Sequence, residues 1–71
     1  MKYVLISGIY KIDGEVHIGY GIGCVEDDSL AFEDLTNDRS EAERLVELCN
    51  ESELSPVHLE SVVEDFVIGS P

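Results

Sequence analysis

The chain has 71 residues, 44% hydrophobic and 28% charged, and 4 basic against 16 acidic side chains give a net charge of −12. This is the composition of one small globular domain spanning 1–71, too rich in apolar residues to be disordered. The charge opposes direct contact with nucleic acid or an anionic lipid surface, and no apolar run approaches the ~20 residues that span a bilayer.

The apolar period changes once, near Leu35, from two to three or four. A β-meander is therefore expected over 1–35 and a helical pair over 36–71. The first strand is expected over Lys2 to Ile12. Its apolar start is too short before Lys11, Asp13 and Glu15 for a signal peptide. The second strand, Glu15 to Val25, alternates Val16, Ile18, Tyr20, Ile22 and Cys24 with His17, Gly19, Gly21 and Gly23, a period-two pattern with one buried face.

Asp13-Gly14 between the two runs is a hairpin signal. A two-residue turn pairs Ile12 with Glu15 and sets Val4, Ile6 and Tyr10 beside the glycines. A three-residue loop with Gly14 in a bulge pairs Lys11 with Glu15. The second register gathers Val4, Ile6 and Tyr10 with Val16, Ile18, Tyr20 and Ile22 on one face, so it is the expected one.

Glu26-Asp27-Asp28 is a polar turn, and Ser29 to Asp34 is a short third strand with Leu30 and Phe32 on the apolar face. Helix one starts at Asp38, where Asp38-x-x-Glu41 fits a capping box. Ala42, Leu45, Val46 and Cys49 form its stripe, and Asn50 is placed to end it in a left-handed conformation. Helix two starts with Ser55 as N-cap and Pro56 in the first helical position. Leu59, Val62, Val63, Phe66 and Val67 form its stripe, and Gly69 and Pro71 stop it. The expected fold class is α+β, βββαα: a three-stranded antiparallel meander with two C-terminal helices packed on one face.

The residue types of several chemistries are present without their geometry. His58, Ser61 and Asp65 lie along one helix, but residues seven apart are separated by ~10.5 Å along the axis, too far for a triad. Cys24, Cys49, His17 and His58 lack metal-ligand spacing, and both cysteines fall on core faces as small hydrophobes. Two cysteines also make no disulfide scaffold, so a reducing, cytoplasmic setting is expected. The acidic turn Glu26–Asp28 lacks cation-loop spacing. Gly19, Gly21 and Gly23 alternate inside a strand and do not form a phosphate-binding turn. No catalytic, cofactor or metal residues are assigned, and an enzyme is not expected.

Leu48-Cys49-Asn50-Glu51, Leu54-Ser55-Pro56-Val57-His58-Leu59 and Val62-Val63-Glu64-Asp65-Phe66 resemble the C-terminal signature of a family of small bacterial proteins classed as a domain of unknown function. The hairpin segment Tyr20-Gly21-Ile22 is similar too. The resemblance implies a small soluble bacterial protein and carries no activity or site.

Three glycines at alternate positions weaken a strand, and bare backbone admits close approach. With Tyr3, Leu5 and Ile9 expected beside them, Gly19, Gly21 and Gly23 make up a flat outer face. The expected function is a non-enzymatic interaction module that docks a protein partner or forms a homodimer there. The alternative is an acidic nucleic-acid mimic that binds a basic protein.

Overall fold

In the computed structural model, which describes residues 2–69, Asp13 and Gly14 both have positive φ, 53° and 82°. This is the conformation of a two-residue type I′ turn, whose twist matches that of the strands it joins. Ile12 accordingly pairs with Glu15, and ten one-to-one pairs run back to Tyr3 opposite Cys24. The expected three-residue loop is overturned: aspartate tolerates the left-handed region, so no third residue is needed.

The strands are β1 (Tyr3–Ile12), β2 (Glu15–Cys24) and β3 (Asp27–Thr36), in sheet order β1-β2-β3 and antiparallel. Helices α1 (Arg39–Glu51) and α2 (Pro56–Ile68) follow, which is the βββαα, α+β arrangement. The two-residue register moves every β1 side chain to the opposite face from the one expected. Tyr3, Leu5, Ser7, Ile9 and Lys11 share the helix-side face with Val16, Ile18, Tyr20, Ile22 and Cys24. Val4, Ile6 and Tyr10 lie on the outer face with His17 and the glycines.

The core is small. Tyr3, Ile22, Cys24, Leu45, Cys49, Leu59 and Val63 form one buried cluster, and Leu30, Phe32, Leu35, Val46, Leu54, Val62 and Phe66 pack around it. α1 lies across β1 and β2, while α2 packs against β3. A thirteen-residue helix is about 20 Å long and a ten-residue strand about 33 Å. The helices therefore cover only the end of the hairpin that carries Tyr3 and Ile22.

β3 is longer than expected and irregular. Its pairing with β2 shifts between Tyr20 and Ile22 and again between Gly23 and Cys24. Asp34 sits in the first bulge with φ 54°. There the β3 backbone crosses so close to Gly21 that a Cβ at that position would strike the Phe32 carbonyl.

The helix ends agree only in part with their sequence signals. Asp38 caps α1, its carboxylate accepting from the Ser40 and Glu41 N–H groups at 2.9 and 3.4 Å. The reciprocal half of the capping box is replaced, since Asp38 N–H donates to Thr36 Oγ1 at 3.1 Å. Asn50 does not end α1. The helix continues to Glu51, and the left-handed residue is Glu53, φ 50°. Ser55 precedes Pro56 as expected, but its side chain makes no capping bond. Gly69 closes α2 in the left-handed conformation. Pro71, expected as part of that stop, lies outside the described residues.

Candidate functional site

The six residues expected to form one outer face are divided among three environments. Tyr3 is 1% exposed and belongs to the core. Its hydroxyl donates to the Leu54 carbonyl at 2.6 Å, which ties β1 to the loop before α2. Burial pushes the Tyr3 phenol above its usual range, with the nearby Cys24, Cys49 and Glu26 adding to the effect. Leu5 shares the helix side and is half-buried, and Ile9 shares it too but lies past the helices. The register accounts for all three: with Ile12 opposite Glu15, odd-numbered β1 residues cannot face the same way as the glycines.

Gly19, Gly21 and Gly23 do lie on the outer face, but all three are buried by this chain's own atoms. A Cβ on Gly19 would meet the Asp34 carboxylate and the Tyr10 ring, and one on Gly23 would touch Ile6. The glycine stripe admits the bulge of β3 and the side chains lying across it.

Those side chains form a polar group that the sequence did not reveal. Tyr10 and His17 are cross-strand partners, with ring centroids 5.7 Å apart. The Tyr10 hydroxyl donates to Glu33 Oε1 at 2.9 Å, and His17 Nε2 lies 3.1 Å from both Asp34 carboxylate oxygens. Desolvation, and then the bond to Glu33, raise the Tyr10 phenol. Positive φ at Asp34 and a bare Gly19 together bring this carboxylate to His17. The group clamps the hairpin to β3, and the signal that would have revealed it is the bulge.

The other candidate residues are held by structural contacts. Cys24 and Cys49 are buried in the core and not joined in a disulfide. Burial raises the Cys49 thiol. Of the expected acidic turn only Glu26 lies in the turn, since Asp27 and Asp28 open β3. Glu26 accepts the Lys2 N–H at 3.0 and 3.1 Å, and this bond chiefly holds its carboxyl below the usual range. Asp27 accepts from the Ser29 hydroxyl and N–H at 2.6 and 3.0 Å, which lowers it in the same way.

One exposed apolar patch lies elsewhere. On the helix side of the hairpin, past the reach of α1, Ile9 is 75% exposed, Val16 65% and Ile18 54%. Ile9 and Ile18 are directly paired across the strands, and Val16 is on the same face. Together with Ser7, Gly8, Tyr20 and Arg39 at the start of α1, Ile9 and Ile18 line an open hollow of about 360 Å³. Alternation marks Val16 and Ile18 as part of an apolar face but does not fix how much of that face a helix covers.

Across residues 1–69 the chain matches a family model described as Family of unknown function (DUF6514). No curated protein and no solved structure matches it.

Proposed function

We propose that this chain, which belongs to that family of unknown function, is a non-enzymatic protein-interaction module whose docking surface is the helix-free end of the β1–β2 hairpin. The observation that carries this reading is the cluster of Ile9, Val16 and Ile18, three branched apolar side chains more than half exposed on one face. Isolated exposed apolar residues are ordinary, but a contiguous group on a rigid strand pair is the kind of surface that partners cover. The surface is open, and a tyrosine borders it, a residue favoured in interfaces.

The test is capture from a native cell extract by the immobilised chain, at low and high salt, beside the variant Ile9→Thr, Ile18→Thr. Threonine keeps the β-branch and the charge while removing apolar surface. The module reading expects a partner retained in high salt and lost with the variant. If only basic proteins bind, are released by salt and are indifferent to the variant, the acidic-mimic reading replaces it.

A further inference from the structure

The outer edge of β1 is an unpaired strand edge of defined length. In a hairpin closed by a two-residue turn, the residues flanking the turn bond to each other, so Ile12, Tyr10, Gly8, Ile6 and Val4 direct their N–H and C=O groups toward β2. The alternate set, Tyr3, Leu5, Ser7, Ile9 and Lys11, directs its groups away from β2. The structure agrees at the open end, where the Lys2 carbonyl accepts from Val25 while Tyr3 turns outward. Tyr3 is satisfied by a side chain: Asn50 Oδ1 accepts its N–H at 2.8 Å, and Asn50 Nδ2 donates to its carbonyl at 2.9 Å. Asn50 thus occupies the place of a neighbouring strand for one residue and stops there. Among the described residues none bonds the outward groups of Leu5, Ser7, Ile9 and Lys11, and no fourth strand flanks β1.

The two edges of the sheet differ. β3 is broken by two register shifts and carries Asp27, Asp28, Glu33 and Asp34, devices that blunt an edge. β1 pairs without a bulge, contains no proline, and is uncharged from Tyr3 to Tyr10. Residues 1–12 hold both lysines and no acidic side chain, while the rest of the chain holds all sixteen acids. In a chain of charge −12, β1 is the one strand that a second copy can approach without placing carboxylate against carboxylate.

We propose that β1 is a dimerisation strand: two copies of this chain pair antiparallel along Leu5 to Lys11, with Lys11 of each copy under Glu47 of the other. The inference rests on the interaction-module reading and names its partner. The pairing that uses all four outward residues sets Leu5 opposite Lys11 and Ser7 opposite Ile9, about a two-fold axis at Gly8. The axis stands normal to the sheet, so the helices of both copies lie on one side. By helical periodicity Asn50, Glu47 and Glu43 share one flank of α1, and Asn50 places that flank over the β1 edge at Tyr3. Glu47 stands about 4.5 Å back along the helix axis from Asn50 and Glu43 about 10.5 Å, whereas Leu5 is about 6.6 Å along the strand from Tyr3. The side chain opposite Leu5 therefore arrives between the two glutamates. Glu43 already holds Arg39, at 3.4 Å, which leaves Glu47 for the incoming ammonium. Lys11 lies on the helix side of β1, the side this contact requires.

The test is a charge exchange between copies, read by sedimentation of the purified full chain from micromolar to millimolar concentration in about 0.15 M salt, where longer-range repulsion is screened. The wild type is expected to dimerise. Lys11→Glu and Glu47→Lys each place like charges together twice per dimer and are expected to weaken association at least tenfold. An equimolar mixture restores both opposite-charge pairs at the wild-type mean charge and is expected to recover wild-type affinity. Amide exchange should slow with concentration at Leu5, Ser7, Ile9 and Lys11, and Ser7→Pro, which removes an outward N–H, should abolish that slowing. If Ser7→Pro does not fold, the two charge variants and wild-type exchange still decide. A mixture no tighter than its components, or a dimer leaving those amides unprotected, overturns the proposal while leaving the module reading intact. A wild type monomeric at millimolar concentration also overturns it, and the module reading then stands or falls by its own capture experiment.

Discussion

The two ends of the β1–β2 hairpin have similar sequences and opposite circumstances. At one end Tyr3, Ile22 and Cys24 are buried beneath the helices. At the other Ile9, Val16 and Ile18 face outward on the same side of the same strands. The cause is length: a helix of thirteen residues rises about 20 Å and cannot cover a strand of ten. Apolar alternation that stabilises the fold at one end is therefore available for contact at the other.

The sharpest way to break this comparison is to truncate one isoleucine at each end. Ile22→Ala empties fully buried volume and should cost about 2–5 kcal/mol in chemical denaturation of the dilute chain. Ile9→Ala, at the exposed end, should change stability by less than about 0.5 kcal/mol. Equal losses would mean that the two ends are packed alike. Gly21→Ala should fall between them, at about 1–3 kcal/mol, because its methyl group meets the Phe32 carbonyl, backbone that cannot rotate aside. The same assay checks it, and a neutral result would remove the close crossing of β3. Among the helix caps, Asp38→Ala should cost about 1 kcal/mol, and Ser55→Ala only about 0.3, since just the first side chain makes a capping bond.

A pH titration of stability sharpens the picture at the Tyr3 end. Glu26 and Asp27 are both held below their usual values, so their contribution is complete at neutral pH and is lost as pH falls through the depressed values, below about pH 4. Glu26→Gln should give a flatter acid limb with the neutral plateau slightly lowered. An unchanged acid limb would show that the bond from the Lys2 N–H does not form in solution.

Much of the fold was legible in the residues. The change of period near Leu35, Pro56 after Ser55, and Gly69 after the last stripe give the order of elements and most of their bounds. Register was not legible from apolar counting, because β1 is apolar on both sides: Val4 and Ile6 on one, Leu5 and Ile9 on the other. The turn decides between them, and Asp13-Gly14 already favours the two-residue form. The roles of Asn50 and Asp34 were hidden for a different reason. Asn50 acts by bonding the backbone of a strand 47 residues away, and Asp34 by occupying a bulge, and neither leaves a periodic trace. The glycines permit a close approach, and it is β3 that makes it.

The most direct test of the division between the two ends is the chemical denaturation midpoint as a function of protein concentration, for the wild type and for Ile9→Thr, Ile18→Thr. Association through the exposed end makes the midpoint depend on concentration, because only the folded chain pairs. The account predicts that the two proteins unfold together, within about 0.5 kcal/mol per substitution, when dilute. As concentration rises, the wild-type midpoint should climb, and that of the variant should climb less, because it has lost apolar surface beside the pairing edge. A wild-type midpoint that does not move would contradict the dimer, and a variant already destabilised as severely as Ile22→Ala when dilute would contradict the division between the two ends.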